Sequence, residues 1–529
     1  MIKLMKKFNG VNQMKLARSA MISKIDTYSK EELGIPIKSL MEKSGTAVAN
    51  VIKERAPKGK YIVILAGKGN NGGDGYAAAV QIMDEYHVTV YNIFDGGQKS
   101  QEGREFLEEF RSRGGKILNF EPTEEILSHI KNAGCIVDAV FGTGFHGEMP
   151  ESIRPLAITI RESVEAEKIA IDVPLGINAD NGTVSDFAIS VGATVELSYI
   201  KPGIISYPAR SYVGKVIYDD LGLPKEEIEK FFPFKYHMID SRWASRNLPV
   251  RESNSNKGTF GKLLMITGSK KYRGAAHLSL EAALRGGVGL VNFLGTHELV
   301  SELSQKYPEA VYTEVKDLCD FDGDDIQRVV KMSASCTATL IGSGSDNTDG
   351  LLRLTLALLD SEGGTLILDA DAINSLASIG KDGIKAIKNS KREVVITPHP
   401  LEFARLYGTE VALVQQHRLE SAEGFAMENS CIVVLKGAGT IITDGGEVYI
   451  NSAGTSALAK AGSGDVLAGF LAALVAQMKG SVRNAAALAV YYHALAGESL
   501  AEEYSSYGVT PSDIPCEIAR QLAKTHRKQ

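Results

Sequence analysis

At 529 residues the chain is longer than one hydrophobic core usually supports, so at least two domains are expected. Its 44% hydrophobic and 23% charged residues are those of a globular protein, and a net charge of −6 argues against a nucleic-acid-binding surface over the whole molecule. No apolar run reaches the roughly 20 residues of a membrane span, and the basic opening MIKLMKKFNGVNQMKLARSAM lacks the apolar core of a signal peptide, so a cytoplasmic protein with no membrane or nucleic-acid partner is expected.

After a helical region at 31–53, short apolar runs alternate with amphipathic ones. Strands are expected at 61–67, 87–94, 116–120, 135–142 and 167–174, with helices at 74–85, 101–113, 123–133 and 151–164. Such alternation means βαβ units and a mostly parallel sheet. Residues 218–258 break the rhythm with prolines, charges, the single Trp243 and a Ser/Asn cluster, which divides the chain into domains 1–235 and 236–529. Strands then resume at 261–268, 337–342, 365–369, 393–397 and 431–435, with helices at 274–286, 349–361, 464–478 and 481–503. The halves are not obvious repeats, so two different α/β domains are expected in one chain. The five cysteines, Cys135, Cys319, Cys336, Cys431 and Cys516, show no CxxC spacing and read as reduced core thiols.

The first strand runs into LAGKGNNGGDGYAAAV, residues 65–80. Read loosely, Gly67 to Gly72 is a GxGxxG dinucleotide fingerprint, and Asp95 stands where a ribose-binding acid would. Against that reading, Asp74 would repel a pyrophosphate from the positive end of the following helix. Asn70 and Asn71 supply side-chain carbonyls suited to a cation or a polar ligand. Two further loops follow strand ends: CIVDAVFGTGFHGE carries Asp138 and the turn from Gly142, and IAIDVPLGINADNG carries Asp172. One such loop would be read as helix capping. Three on one sheet edge are expected to bring Asn71, Asp138 and Asp172 to one crevice.

GNNGGDG, DAVFGTG and IDVPLG, with LMEKSG at 40–45, resemble the epimerase domain of NAD(P)H-hydrate repair enzymes over residues 15–225. The resemblance implies a Rossmann-like three-layer domain acting on NADHX and NADPHX, the C6-hydrated reduced nicotinamide nucleotides. It implies substrate contacts from Asn70, Asn71, Gly72, Gly73 and Asp74, and from Gly142, Thr143, Gly144, Phe145, His146, Gly147 and Glu148. It implies a potassium ion (K+) at Asn71, Asp138 and Leu175, and a catalytic, substrate-contacting Asp172. A carboxylate suits the chemistry, because epimerising a hemiaminal carbon needs proton transfer near the leaving oxygen. Leu175 departs from the Ser or Thr usual in the family and leaves only a backbone carbonyl for the ion.

The second half ends in LAKAGSGDVLAGFLAAL, residues 458–474. Glycines opening a helix let backbone amides approach a phosphate, and Asp465 in the first turn is either a cap or a base for a hydroxyl proton. The surroundings are VVLKGAGTII at 433–442, LILDADAIN at 366–374 with Asp369 and Asp371, and ITPHPLEFARL at 396–406 with His399 and Glu402. With KGTFGKLLMITGS and GAAHLSLEAALRGGVGLV, these motifs resemble the ribokinase-like, nucleotide-dependent (S)-NAD(P)H-hydrate dehydratases over 245–525.

That resemblance implies phosphorylation of the C6 hydroxyl with Asp465 as base, then loss of phosphate. It implies nucleotide contacts from Lys436, Gly437, Ala438, Gly439, Thr440 and Gly464, and hydrate contacts from Ala275, Gly344, His399 and Asp465. Magnesium (Mg2+) is expected on the phosphates and ADP as the donor, in a homo-oligomer. Gly342-Ser343-Gly344 replaces the usual GPG, and Leu401 replaces the Gly of HPGE. The rival reading is a small-molecule kinase of the ribokinase superfamily with a non-catalytic N-terminal binding module.

Overall fold

A computed structural model describes residues 3–4, 14–145, 147–478 and 480–526. The chain forms two compact units, one over Lys15–Tyr236 and one from His237 onward.

The first unit is built on an eight-stranded sheet. Its spatial order is Lys116–Asn119, Val88–Asn92, Ile62–Ala66, Cys135–Ala139, Glu167–Ile171, Ala193–Leu197, Lys215–Asp219 and Lys3–Leu4, with every pairing parallel. Ile62–Ala66 and Cys135–Ala139 are buried along their whole length, as strands covered on both faces must be. The direction of strand addition reverses between these two strands. A crevice therefore opens beyond their carboxyl ends, where ligands of open α/β sheets sit.

Two expectations for this unit are corrected. The helical region at 31–53 is two helices, Ser19–Glu31 and Ile37–Arg55. Gly34, at φ 65, and Pro36, at the N-cap of the second, separate them. Proline fits a helix entry and left-handed glycine a helix exit, so the chain turns there rather than continuing. The helix expected from residue 74 begins at Asn70 and runs to Ile82. Its glycines read as loop but serve packing. A Cβ on Gly72 would lie 2.0 Å from the Gly67 carbonyl oxygen, and one on Gly75 would lie 2.9 Å from Ala139 Cβ. Tertiary packing here overrides the low helix propensity of glycine.

The second unit repeats the strand logic. In spatial order Val311–Glu314, Leu290–Gly295, Lys262–Ile266, Ala338–Ile341, Thr365–Leu368, Val394–Ile396 and Ile432–Leu435 are parallel. Ile441–Thr443 and Val448–Asn451 then add antiparallel. The order again reverses at an interior strand, Lys262–Ile266. Helix Ser463–Gln477 is apolar almost all round and buried, with Val466, Phe470 and Leu471 wholly enclosed. The following helix Val482–Gly508 kinks at Ser505, where φ is 62, close to the expected end at 503.

Sequence periodicity did not single out Ala193–Leu197, Lys215–Asp219, Leu290–Gly295 or Val311–Glu314 as strands. The thiols are unpaired, but Cys319 is exposed rather than in a core. Among the described residues no helix is long and apolar enough to cross a membrane.

The central helix packs closely at Gly469, where a Cβ would lie 2.0 Å from the Ser279 carbonyl oxygen of helix Arg273–Arg285. Gly469→Ala is therefore expected to destabilise the second unit by about 1–3 kcal/mol, an overpacking cost. Denaturant unfolding followed by circular dichroism checks this, and an unchanged midpoint would contradict the packing described.

Candidate active sites

In the first unit the loops after strands Ile62–Ala66, Cys135–Ala139 and Glu167–Ile171 meet at the reversal point. Asn71 lies in the first turn of its helix, and its Nδ2 donates to the Phe141 carbonyl at 2.8 Å. A Cβ on Gly142 would lie 3.3 Å from Asn71 Cβ and 3.5 Å from Asp172 Oδ2. Asn71, Gly142 and Asp172 thus share one crevice, as their spacing on the sheet edge predicts.

Asp138 is buried and braces this edge. Its Oδ1 accepts from the Val140 N–H at 3.1 Å and its Oδ2 from the Leu175 N–H at 2.6 Å. Burial pushes its carboxyl up to about 7, against the pull of those two donors. Asn71 Oδ1 is buried with no hydrogen-bond partner among the described residues. An oxygen in that state fits a cation, since a buried polar atom without a partner is costly. Leu175 fits less well. Its side chain is fully buried in a hydrophobic cluster and its carbonyl already accepts from the Ile189 N–H at 3.1 Å.

The remaining residues of the 142–148 turn divide. The Thr143 carbonyl accepts from Ser19 Oγ at 2.8 Å, Phe145 is buried with its ring 5.1 Å from that of Phe141, and Gly144, Gly147 and Glu148 are exposed. His146 lies outside the described residues. In the helix, Asn70 is exposed, whereas Gly72 and Gly73 are buried.

Sequence reasoning missed three residues of this crevice. Lys201, 1% exposed, makes an ion pair with Asp172 Oδ1, and its Nζ lies 3.4 Å from Glu196 Oε2. Burial drives the Glu196 carboxyl up to about 8 although Lys201 opposes this. Burial raises Asp26, on the first helix, to about 6, and the Asp172 charge adds to that rise. Burial, then Asp172, holds Asp74 well above the usual carboxylate range. The only available signal was the SYIKPG segment, a lysine just after an apolar strand.

In the second unit Gly462, at φ 98, caps helix Ser463–Gln477 and Asp465 lies in its first turn. A Cβ on Gly464 would lie 3.6 Å from Lys436 Nζ, so an ammonium faces the helix N-terminus. That Nζ donates to Asp369 Oδ1 at 3.0 Å and lies 3.9 Å from Glu402 Oε2. Thr397 Oγ1 donates to the same Asp369 oxygen at 2.6 Å, and Ser343 Oγ donates to its partner Oδ2 at 2.8 Å. The hydroxyl that replaces a proline at 343 thus fixes the Asp369 carboxylate. Gly342, at φ 112, and Gly344, at φ 61, supply the turn on either side.

His399 caps helix Pro400–Tyr407. Its N–H donates to Glu402 Oε2 at 2.8 Å and its Nδ1 accepts from the Glu402 N–H at 3.2 Å. Leu401 is 42% exposed, so its side chain is not packed into the interior at this turn. A Cβ on Gly344 would lie 2.6 Å from Ala275 Cβ, so those two positions adjoin. The turn after Lys436 has Gly437 at φ 137 and Gly439 at φ 62, with Thr440 Oγ1 donating to the Gly437 carbonyl at 2.8 Å and Ala438 exposed between the two glycines. Arg418, which the sequence did not point to, is buried and donates to the Lys436 carbonyl at 3.2 Å. Burial raises Asp465 to about 7, with Asp369 reinforcing it, and raises Glu402 to about 7.

Two crevices, each lined by carboxylates around one ammonium at the carboxyl edge of a parallel sheet, can be compared with known proteins. Residues 37–203 match the family described as YjeF-related protein N-terminus, and residues 263–520 match NAD(P)H-hydrate dehydratase. The bifunctional NAD(P)H-hydrate repair enzyme Nnr of Moorella thermoacetica is 32% identical over 95% of this chain and 95% of its own length. The enzyme of that name from Escherichia coli is 30% identical over 91% of this chain and 89% of its own. A Bacillus subtilis ADP/ATP-dependent NAD(P)H-hydrate dehydratase, co-crystallised with ATP and Mg2+, is 27% identical with a TM-score of 0.48, covering 54% of this chain and 97% of that one. The chain belongs to the bifunctional NAD(P)H-hydrate repair enzymes, with an epimerase domain followed by a dehydratase domain.

Proposed function

We propose that the two crevices are the two sites of one repair reaction. The first interconverts the R and S forms of NADHX and NADPHX; the second dehydrates the S form to NADH or NADPH at the expense of ADP, giving AMP and phosphate. The observation that carries the reading is the placement of Asp465 in the first turn of a glycine-opened helix whose Gly464 faces Lys436 Nζ.

In the second site the helix N-terminus and Lys436 are placed to hold the transferring phosphate, with the Gly437–Gly439 turn and Thr440 on the nucleotide side. Ala275, Gly344 and His399 line the hydrate side. Asp465 takes the proton of the C6 hydroxyl, and a carboxyl raised to about 7 is near the optimum for such a base at neutral pH. No set of three metal-ligating side chains occurs among the described residues. Mg2+ commonly takes one or two carboxylates together with phosphates. Asp369, Asp371 and Glu402 are the carboxylates beside Lys436 that suit this, and the ion, when bound, neutralises phosphate charge. In the first site Asp172 acts on the hydrate, with Asn70 to Asp74 and the turn from Gly142 around it. Asn71 Oδ1 and Asp138 are the fitting oxygens for potassium, whose role is to hold the loops together.

A kinase acting on another alcohol predicts a stable phosphorylated product. Repair predicts release of phosphate and a rise in reduced-nicotinamide absorbance. With a mixed R/S preparation of NADHX, ADP, Mg2+ and K+, the protein is expected to restore the whole mixture. Asp465→Asn is expected to lower the rate by about 10²–10⁴-fold, the worth of a positioned general base. Asp172→Asn is expected to stop near the S fraction, apart from slow spontaneous epimerisation. No recovery with ADP or ATP would overturn the reading.

The acid limb of the dehydratase follows from the same carboxyl. Because its pKa is raised, the basic form is present above about 7 and lost as pH falls through that value. The kcat/KM for the S hydrate, which reports the free enzyme, is expected to be flat above about pH 7 and to drop about tenfold per unit below it. An acid limb centred near 4, the ordinary carboxylate range, would contradict the assignment of Asp465.

A further inference from the structure

Lys201 stands outside every motif that carries the family resemblance, yet it is almost wholly enclosed in the first crevice. It lies between strand Ala193–Leu197 and the short helix Pro202–Ile205, and only 1% of its side chain is exposed. An ammonium has three N–H donors. Here they face Asp172 Oδ1, Glu196 Oε2 at 3.4 Å and the Leu197 carbonyl at 3.1 Å. Lys201 therefore has no donor left for a ligand and cannot act on the substrate directly.

Its partner is strained. Asp172 has φ 66, a left-handed backbone that non-glycine residues rarely adopt. Its N–H donates to the Val195 carbonyl at 2.8 Å, which pins that backbone to the neighbouring strand end. The two carboxylate oxygens then have different surroundings. Oδ1 is taken by the buried lysine, while Oδ2 lies on the crevice side, 3.5 Å from the Cβ position of Gly142. Among the described residues, the other groups whose charge is coupled to Asp172 are acids: Glu196 from its strand, Asp74 from helix Asn70–Ile82 and Asp26 from helix Ser19–Glu31. Lys201 is the cation among them that opposes these acids.

We propose that Lys201 is the positioning residue of the epimerase site: it clamps Asp172 through Oδ1 as a carboxylate and leaves Oδ2 as the proton acceptor facing the hydrate. This rests on the reading of Asp172 as the group acting on the hydrate. In the R-to-S direction Asp172 takes the proton, so the departing hydroxyl is protonated by a second acid of the crevice, Asp74; in the reverse direction the two exchange roles. The C6–O bond breaks with its electron pair going to oxygen. The hydroxyl takes the Asp74 proton and leaves as water, and the ring-nitrogen lone pair forms the C=N bond of an iminium ion. Water then adds to the opposite face of C6, the C=N π pair returns to nitrogen, and the released proton passes to Asp172 Oδ2. Burial, then the charge of Asp172, raises the Asp74 carboxyl well above its ordinary value, which suits the donor's part.

The test runs the full-length protein on purified R hydrate without nucleotide, so that only epimerisation proceeds, with S hydrate quantified by chromatography. Lys201→Met is expected to lower kcat about 100-fold at pH 7 and to leave KM within about threefold. Lys201→Arg, which keeps a cation beside Asp172, is expected to recover an intermediate kcat. Lys201→Met/Glu196→Gln removes the cation together with the second carboxyl it faces, and is expected to show the same loss of kcat. Dehydration of pure S hydrate with ADP reports on the second unit of each variant, and thermal unfolding on the first. Asp172→Asn runs beside them. If it epimerises normally, the reading of Asp172 falls and the proposal with it. If Asp172→Asn is inactive but a folded Lys201 variant without the charge keeps the wild-type rate, the proposal alone is overturned.

Discussion

A buried ammonium amid carboxylates is the interaction on which both sites depend. Lys201 in the first unit and Lys436 in the second each face two acids, and each is enclosed by the sheet edge that bears it. Burial alone would strip a lysine of its proton, yet the paired carboxylates hold both above the ordinary lysine value. In each crevice the cation is outnumbered. Some of the surrounding acids must then remain protonated near neutrality, and such groups are the ones able to exchange protons with a ligand.

The fold supplies these clusters through topology. In both units the strand order reverses beside an interior strand, Ile62–Ala66 in one and Lys262–Ile266 in the other, so the loops after adjacent strands diverge and leave a crevice. Asn71, Gly142 and Asp172 reach one place because they follow three parallel strands at the same edge. Asp369, His399 and Lys436 do so because they follow Thr365–Leu368, Val394–Ile396 and Ile432–Leu435. The two units are unlike in detail but share this geometric solution.

What the sequence disclosed, and what it hid, follows from the range of the forces. Strands such as IVILA and CIVDA are continuous apolar runs and were legible, as were the glycine turns that bring chemistry to strand ends. Ala193–Leu197 was not, because Glu196 interrupts an apolar run and is tolerated only through its contact with Lys201, whose origin is tertiary. The helix start at Asn70 was hidden for the opposite reason: glycine reads locally as loop, and the need for close packing against Gly67 and Ala139 is visible only in three dimensions. Ser343 illustrates a substitution whose local cost was legible while its compensation was not. The loss of a rigid proline is offset by a hydroxyl bond to Asp369, 26 residues away in sequence.

The central helix of the second unit has one more implication. Ser463–Gln477 is enclosed along nearly its whole length and locked against Ser279 by Gly469, so its first turn has almost no freedom to shift. Asp465 and the amides before it are thus a fixed anvil, preorganised before any ligand arrives. Adjustment on binding falls to the opposite jaw, the Gly437–Gly439 turn, whose left-handed glycines give the backbone its latitude. The helix side of this crevice is held in place, and the side formed by the glycine turn is the adaptable one.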